Sequence, residues 1–190
     1  MMKKRLFAAG FAVVTAALTV IPVGDKPAIA QLIHAGSTLA QNVLQQPKVN
    51  LNLVADVQQR QKGAQGKETI SWKALDPKTV VKPGDVVRFT LTGKNEGTRA
   101  AKNMAFTQAI SRGLVYQLNS ATPVKGATLS YSIDQGKTFV ANPTVKVTLP
   151  NGKVEERPAP AEAYTHVRWN FSQELEPSTS VQTGYLTKVR

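Results

Sequence analysis

Cysteine is absent from the 190 residues, and histidine occurs only as His34 and His166. The first absence removes disulfides, thiolate nucleophiles and thiolate-bound zinc. The second leaves too few imidazoles for a histidine metal cage. Aromatic residues make up 6% of the chain, so few large side chains are at hand to anchor a core. Acidic residues are scarce as well. Twelve Asp and Glu stand against 24 Lys and Arg, for a formal net charge of +12. Past residue 24 no long apolar run occurs, so nothing there reads as a membrane helix.

These shortages thin out the enzyme classes. An acyl-transfer triad needs a nucleophile, a positioned base and an orienting acid. His166 is the only histidine after residue 34, and it alternates against Val167 and Trp169, which reads as a solvent-facing position. No G-x-S-x-G elbow is present. The carboxylates are scattered, and the densest group, Glu155 and Glu156, adjoins Arg157. Asp85 and Asp134 sit in turns, where a carboxylate bonds its own backbone. The expectation is a protein that is not an enzyme, with no cofactor and no metal.

The first 30 residues read as an export signal. Lys3, Lys4 and Arg5 precede the uncharged run "LFAAGFAVVTAALTVIPV", and "PAIA" then offers small residues at Ala28 and Ala30. That order is the one signal peptidase reads, which places cleavage after Ala30. Pro22 and Gly24 break the run before it makes a comfortable bilayer span. Cleavage takes four basic and one acidic residue with it, leaving 20 and 11, a net charge of +9. Residues 31–47 then form a leader, either loose or a short amphipathic helix that Pro47 ends.

From Lys48 the apolar period becomes two. Val49, Leu51, Leu53, Ala55 and Val57 alternate with polar positions, and "TISWKA" puts Ile70 and Trp72 on one face. Trp72 and Trp169 are both in phase with apolar neighbours, which places them in the core rather than as sugar-stacking platforms. One or two of Tyr116, Tyr131, Tyr164 and Tyr185 are expected at the surface. "PGDVVRFTLTGKNEGT", residues 83–98, has the look of a phosphate loop. Yet Asn95 stands where such a loop needs Ser or Thr after Lys94, and no helical pattern follows. It reads instead as a turn, a strand with Val87, Phe89 and Leu91 on one face, and a second turn. Similar segments continue to residue 190, among them "THVRWNF" with Val167, Trp169 and Phe171 inward, and a hairpin at Asn151-Gly152 expected as a type I′ turn. Eight to ten short strands without a helix predict an all-β antiparallel sandwich over residues 48–190.

Two stretches carry a family resemblance. "VKPGDVVRFTLTGKNEGTRAAKNMAFTQAISRGLVY" resembles the opening half of the DUF-eleven domain, a bacterial surface module of unknown function. "HVRWNFSQELEPSTSVQTGYLTKV" resembles its closing half. Gln108 replaces the usual Asp of the family pattern, Ser111 the usual Pro, and Ser178 the usual Gly. The resemblance implies an immunoglobulin-like sandwich in an exported bacterial protein, and it brings no catalytic residues.

The positive charge has no structural explanation in the sequence. Arg60, Lys62 and Lys67 cluster in one loop, and Lys94, Arg99 and Lys102 around one turn. The expected function is a structural or adhesive contact module of the envelope, in the periplasm, at the cell surface or outside the cell, with an envelope or surface protein as partner. The alternative is a module that binds an anionic glycan or polymer through those six residues. Nucleic acid is not expected as a partner, since no aromatic-plus-basic strand motif is present.

Overall fold

The computed structural model describes residues 46–62, 68–76 and 78–190. The expected signal segment, the leader up to residue 45 and Lys67 lie outside the described residues. Ten strands follow in order: β1 Val49–Lys62, β2 Glu68–Ala74, β3 Val86–Asn95, β4 Ala105–Ala109, β5 Leu114–Tyr116, β6 Ala127–Ser132, β7 Thr144–Thr148, β8 Val154–Pro158, β9 His166–Phe171 and β10 Ser180–Val189. All pair antiparallel. Five form one sheet in the order β2-β1-β3-β10-β5, three form a second in the order β4-β9-β6, and β7 and β8 pair alone.

The alternation of β3 explains how the two larger sheets pack. Val87, Phe89 and Leu91 are buried, and their partners on β10, Thr187, Tyr185 and Thr183, are buried beside them. From the smaller sheet Phe106 and Trp169 lie opposite each other in register, with Val167 and Phe171 to either side of Trp169. All four join the same core as the β3 residues. Phe106 meets Phe171 edge-on at 4.7 Å, and Phe89 stacks on Tyr185 at 5.2 Å. Gly93 is part of this arrangement. A Cβ there would collide with the Phe106 ring, so only glycine lets the smaller sheet come this close.

The strands differ in how far they are covered. β1 pairs with β3 over Val49–Val57 and with β2 over Asp56–Lys62, so its far half leaves the sandwich as a two-stranded ribbon. The edge of β10 is sealed where β5 does not reach. The Gln117 N–H donates to the Leu186 carbonyl at 3.0 Å, the Leu186 N–H to Ser120 Oγ at 3.0 Å, and the Thr122 N–H to the Gly184 carbonyl at 2.7 Å.

The Asn151-Gly152 turn departs from expectation. Gly152 has φ +80° while Asn151 stays out of the left-handed region. The Gly152 N–H donates to the Leu149 carbonyl and the Leu149 N–H to the Lys153 carbonyl, both at 2.8 Å. This is a type I turn closed by a glycine bulge. Pro150 decides it, because its ring fixes a negative φ at the first central position and excludes type I′.

The β7–β8 hairpin contributes no side chain to the core. At its base the Ala159 N–H donates to the Pro143 carbonyl at 2.9 Å, which brings the two ends together. Excising residues 144–158 and joining Pro143 to Ala159 through an Asn-Gly linker is therefore expected to move the melting temperature by less than about 3 °C, in line with changes confined to the surface. A loss above about 2 kcal/mol in chemical denaturation would show that the hairpin supports the core after all.

Candidate contact surface

The basic residues singled out in the sequence do not form one surface. Arg60 and Lys62 lie on the β1–β2 ribbon, where the Arg60 Nε donates to Gln58 Oε1 at 3.2 Å and Lys62 faces Glu68 across the strands. Lys94 stands at the other end of the sheet, opposite Asn50. Ten residues of β1 separate Asn50 from Arg60, roughly 33 Å of extended chain. Lys94, Arg99 and Lys102 do gather around one turn, which the Asn95 side chain holds by donating to the Arg99 carbonyl at 2.7 Å. Carboxylates accompany them. Lys94 Nζ is 3.9 Å from Glu96, and Lys102 Nζ is 2.8 Å from Glu174. The hydrogen bond and charge of Glu174 raise the Lys102 ammonium above its ordinary pKa.

Sequence reasoning missed a cluster on the outer face of the five-stranded sheet. Arg88 Nη2 and Nε both reach Asp56 Oδ2, at 2.9 and 3.3 Å, and the guanidinium lies 4.4 Å over the Trp72 ring. Trp72 is half-buried here rather than in the core. Its phase with Ile70 was read correctly, but the register Trp72–Gln58 puts both on the face turned away from the smaller sheet. Arg88 was visible as the outward neighbour of Val87, and Asp56 faces it through the β1–β3 register.

Beside this cluster lies an open depression of about 800 Å³. Gln58, Arg60, Gln117, Leu118, Glu162 and Lys188 are among the residues that line it. Its cations Arg60 and Lys188 are balanced by the lining carboxylates of Asp85 and Glu162. The Asp85 carboxylate already accepts the Lys82 N–H at 2.7 Å, as its turn position implies.

On the outer face of the smaller sheet a serine, an aspartate and a histidine come near one another. Their hydrogen bonds run the wrong way for a triad. Ser132 is buried and its Oγ–H donates to Asp134 Oδ1 at 2.7 Å, while the same oxygen accepts the Gly136 N–H at 2.8 Å. His166 Nδ1 meets Thr165 Oγ1 at 3.1 Å instead of Ser132. Asp134 is held well below the usual carboxylate range, first by the hydroxyl and N–H of Thr138 and then by Ser132. The group is a turn scaffold. His166 is half-buried rather than solvent-facing, because Phe139 packs over this face at 6.2 Å from the imidazole and also lies under the Arg168 guanidinium at 3.4 Å. Burial, and then the Arg168 charge, lower the His166 pKa.

The four tyrosines do not reach the surface as expected. Tyr116 and Tyr185 are buried, and Tyr131 and Tyr164 half-buried against them. The Tyr116 and Tyr131 hydroxyls are 3.2 Å apart, and the Ala121 N–H donates to Tyr116 Oη at 3.2 Å. Burial pushes the Tyr131, Tyr164 and Tyr185 phenols up from their ordinary pKa. Among the described residues no three His, Asp or Glu side chains gather as a metal site, and no helix is long and apolar enough to cross a membrane. No family model, curated protein or solved structure matches the chain.

Proposed function

We propose that the chain is an exported, non-catalytic sandwich of the immunoglobulin-like kind, of the DUF-eleven type, that works by contact in the bacterial envelope or outside the cell. The observation that supports this most is the placement of its strands. Two antiparallel ribbons, β1–β2 and β7–β8, extend from the paired sheets, and their side chains are mostly exposed. Such projecting ribbons offer contact surface at little cost to the core, and loops and edges are where sandwiches carry their contacts. Export rests on the signal-like order of residues 1–30.

The polyanion reading keeps a narrower base. Lys94, Arg99 and Lys102 share one turn, whereas Arg60 and Lys62 lie too far along β1 to join them at one binding group. Nearby carboxylates also dilute the field of Lys94 and Lys102. The polymer favoured by this reading is a long anionic glycan that touches one cluster at a time.

Expression in a bacterial host with fractionation tests the proposal. The mature protein is expected outside the cytoplasm with Gln31 as its first residue by intact mass. It should be retained on purified envelope in a way that 0.5 M salt (about a 4 Å screening length) leaves largely intact, because the contact is not mainly ionic. A species beginning at Met1 or Met2 in the cytoplasm overturns export. Retention that salt abolishes, and that joint replacement of Lys94, Arg99 and Lys102 by Ser also abolishes, hands the site to the polyanion.

A further inference from the structure

Between Val49 and Leu53 one edge of β1 meets no strand among the described residues. The hydrogen-bond phase shows which groups this leaves outward. The Glu96 N–H donates to the Lys48 carbonyl at 2.7 Å, so the even-numbered residues of β1 turn their backbone toward β3. The Leu75 N–H donates to the Ala55 carbonyl at 2.8 Å, so the odd-numbered ones turn to the opposite side. The N–H and C=O groups of Val49, Leu51 and Leu53 therefore face the open edge. Leu53 is 38% and Val54 42% exposed on the two faces beside it.

Three other edges among the described residues are guarded. β5 is three residues long, the β10 edge is covered by the segment Gln117–Thr122, and the β7–β8 hairpin carries Lys146, Glu155, Glu156 and Arg157. Short edges, covering loops and charges are the usual guards against strand addition. From Val49 to Ala55 there is no charge, no proline and no glycine. Cations stand at both ends of this uncharged stretch. Lys48 precedes it, and at its far end Lys73 and Lys78 outnumber Asp76, whose carboxylate accepts the Lys78 backbone N–H at 2.8 Å.

We propose that the Val49–Leu53 edge takes up an extended segment of a partner protein as an added strand, one with apolar residues at alternate positions and acidic residues at its ends. Main-chain hydrogen bonds supply the affinity in such additions, and alternate side chains the selectivity. The added apolar residues cover Leu51 and Leu53 on the inner face, and the acidic ends meet Lys48 and the Lys73–Lys78 pair. A second copy of this chain fits less well, because it brings another strongly cationic molecule, and a second Lys48, to the same edge. The inference rests on the contact reading above. A chain that is held by envelope but takes up no strand fails here and leaves that reading standing.

The probe is a fluorescein-labelled peptide, Glu-Glu-Val-Thr-Val-Thr-Val-Glu-Glu, titrated against the full chain by anisotropy. It is expected to bind about ten-fold more tightly than the same peptide with lysines for glutamates. Leu51→Pro removes an N–H from the open side only, so the ladder to β3 survives while peptide binding falls about ten-fold or more. Leu53→Glu, which keeps every backbone group, is expected to do the same through an edge charge that repels the acidic peptide and covers the case in which Leu51→Pro fails to fold. In hydrogen exchange the amides of Val49, Leu51 and Leu53 should be fast in the free protein and slow with peptide. Absence of binding overturns the inference. So does protection already present in the dilute monomer, which assigns the edge to the chain's own N-terminal segment. Protection that rises with concentration, together with a dimer in sedimentation, assigns it to a second copy and overturns it too.

Discussion

Replacing Trp169 by alanine is expected to cost about 3–5 kcal/mol, the range for removing a large buried aromatic. The side chain is fully buried at the centre of the smaller sheet, flanked in register by Phe106 on β4 and Leu129 on β6. Its ring lies 6.4 Å from Tyr185 of the opposing sheet, so it ties the two layers together. The indole Nε1–H donates to the Thr122 carbonyl at 3.0 Å, which also anchors the segment that seals β10. Thr183 Oγ1 donates to the same carbonyl at 3.0 Å, so the carbonyl keeps a partner when the indole is lost. The cost should therefore be mainly that of a cavity. Trp169→Phe is expected to recover more than half of it. Chemical denaturation of both variants checks this, and a loss below about 1 kcal/mol for the alanine would place the packing energy elsewhere.

The second large effect is expected at Asn95, whose side chain is fully buried with all its hydrogen-bonding capacity used. Oδ1 accepts the Lys48 N–H at 3.2 Å and the Gly97 N–H at 3.0 Å. Nδ2 donates to the Arg99 carbonyl at 2.7 Å and the Leu175 carbonyl at 2.8 Å. The Asn95 backbone adds a bond from its N–H to the Thr179 carbonyl at 3.0 Å and another from the Ser178 N–H to its carbonyl at 2.8 Å. One residue thus joins the start of β1, the end of β3, the turn after it and the turn before β10. Asn95→Ala removes all four bonds at once, although the Leu175 carbonyl keeps the Ala101 N–H at 2.9 Å, and is expected to cost on the order of 3 kcal/mol. Asn95→Asp keeps the size and both bonds to Oδ1, yet it sets a carboxylate oxygen against two carbonyl oxygens. It should be at least as destabilising as alanine at neutral pH. Denaturation of the pair decides the matter, since an aspartate variant as stable as wild type would show that the donated bonds contribute nothing.

Asn95 also shows how much could be read in advance. Asn-x-Gly pointed to a turn, and the Gly97 N–H bond to Oδ1 is that turn. The bonds to Lys48 and Leu175 reach 47 and 80 residues along the chain, which no local pattern carries. The strands themselves were legible because alternation records burial on one side. Val87, Phe89 and Leu91, and Val167, Trp169 and Phe171, face the core as read. Alternation says which residues share a face but not which face is covered. That is why Trp72 was placed in the core although the smaller sheet does not cover β2. The basic residues show a related limit of local reading. Closeness in sequence joined Lys94, Arg99 and Lys102, while the acid that meets Lys102, Glu174, comes from a distant turn. Ser178 was legible only as a departure from the resembled pattern. It adopts φ +61°, the left-handed conformation that glycine would enter without strain.

The position of β10 has a consequence in time. It is the last strand in chain order, yet it lies in the interior of the five-stranded sheet, between β3 and β5. Its contacts with β3 join residues far apart in the chain, 90 between Gln182 and Thr92 and 100 between Thr187 and Val87. A ribosome that has made everything up to β9 has therefore made a sheet that lacks an interior strand, and β3 has no neighbour on the side that β10 occupies. Folding has to wait for the final strand and then find a partner far back in the chain, which is the slow class of topology. Loss of the last ten residues would not trim an end but remove a middle.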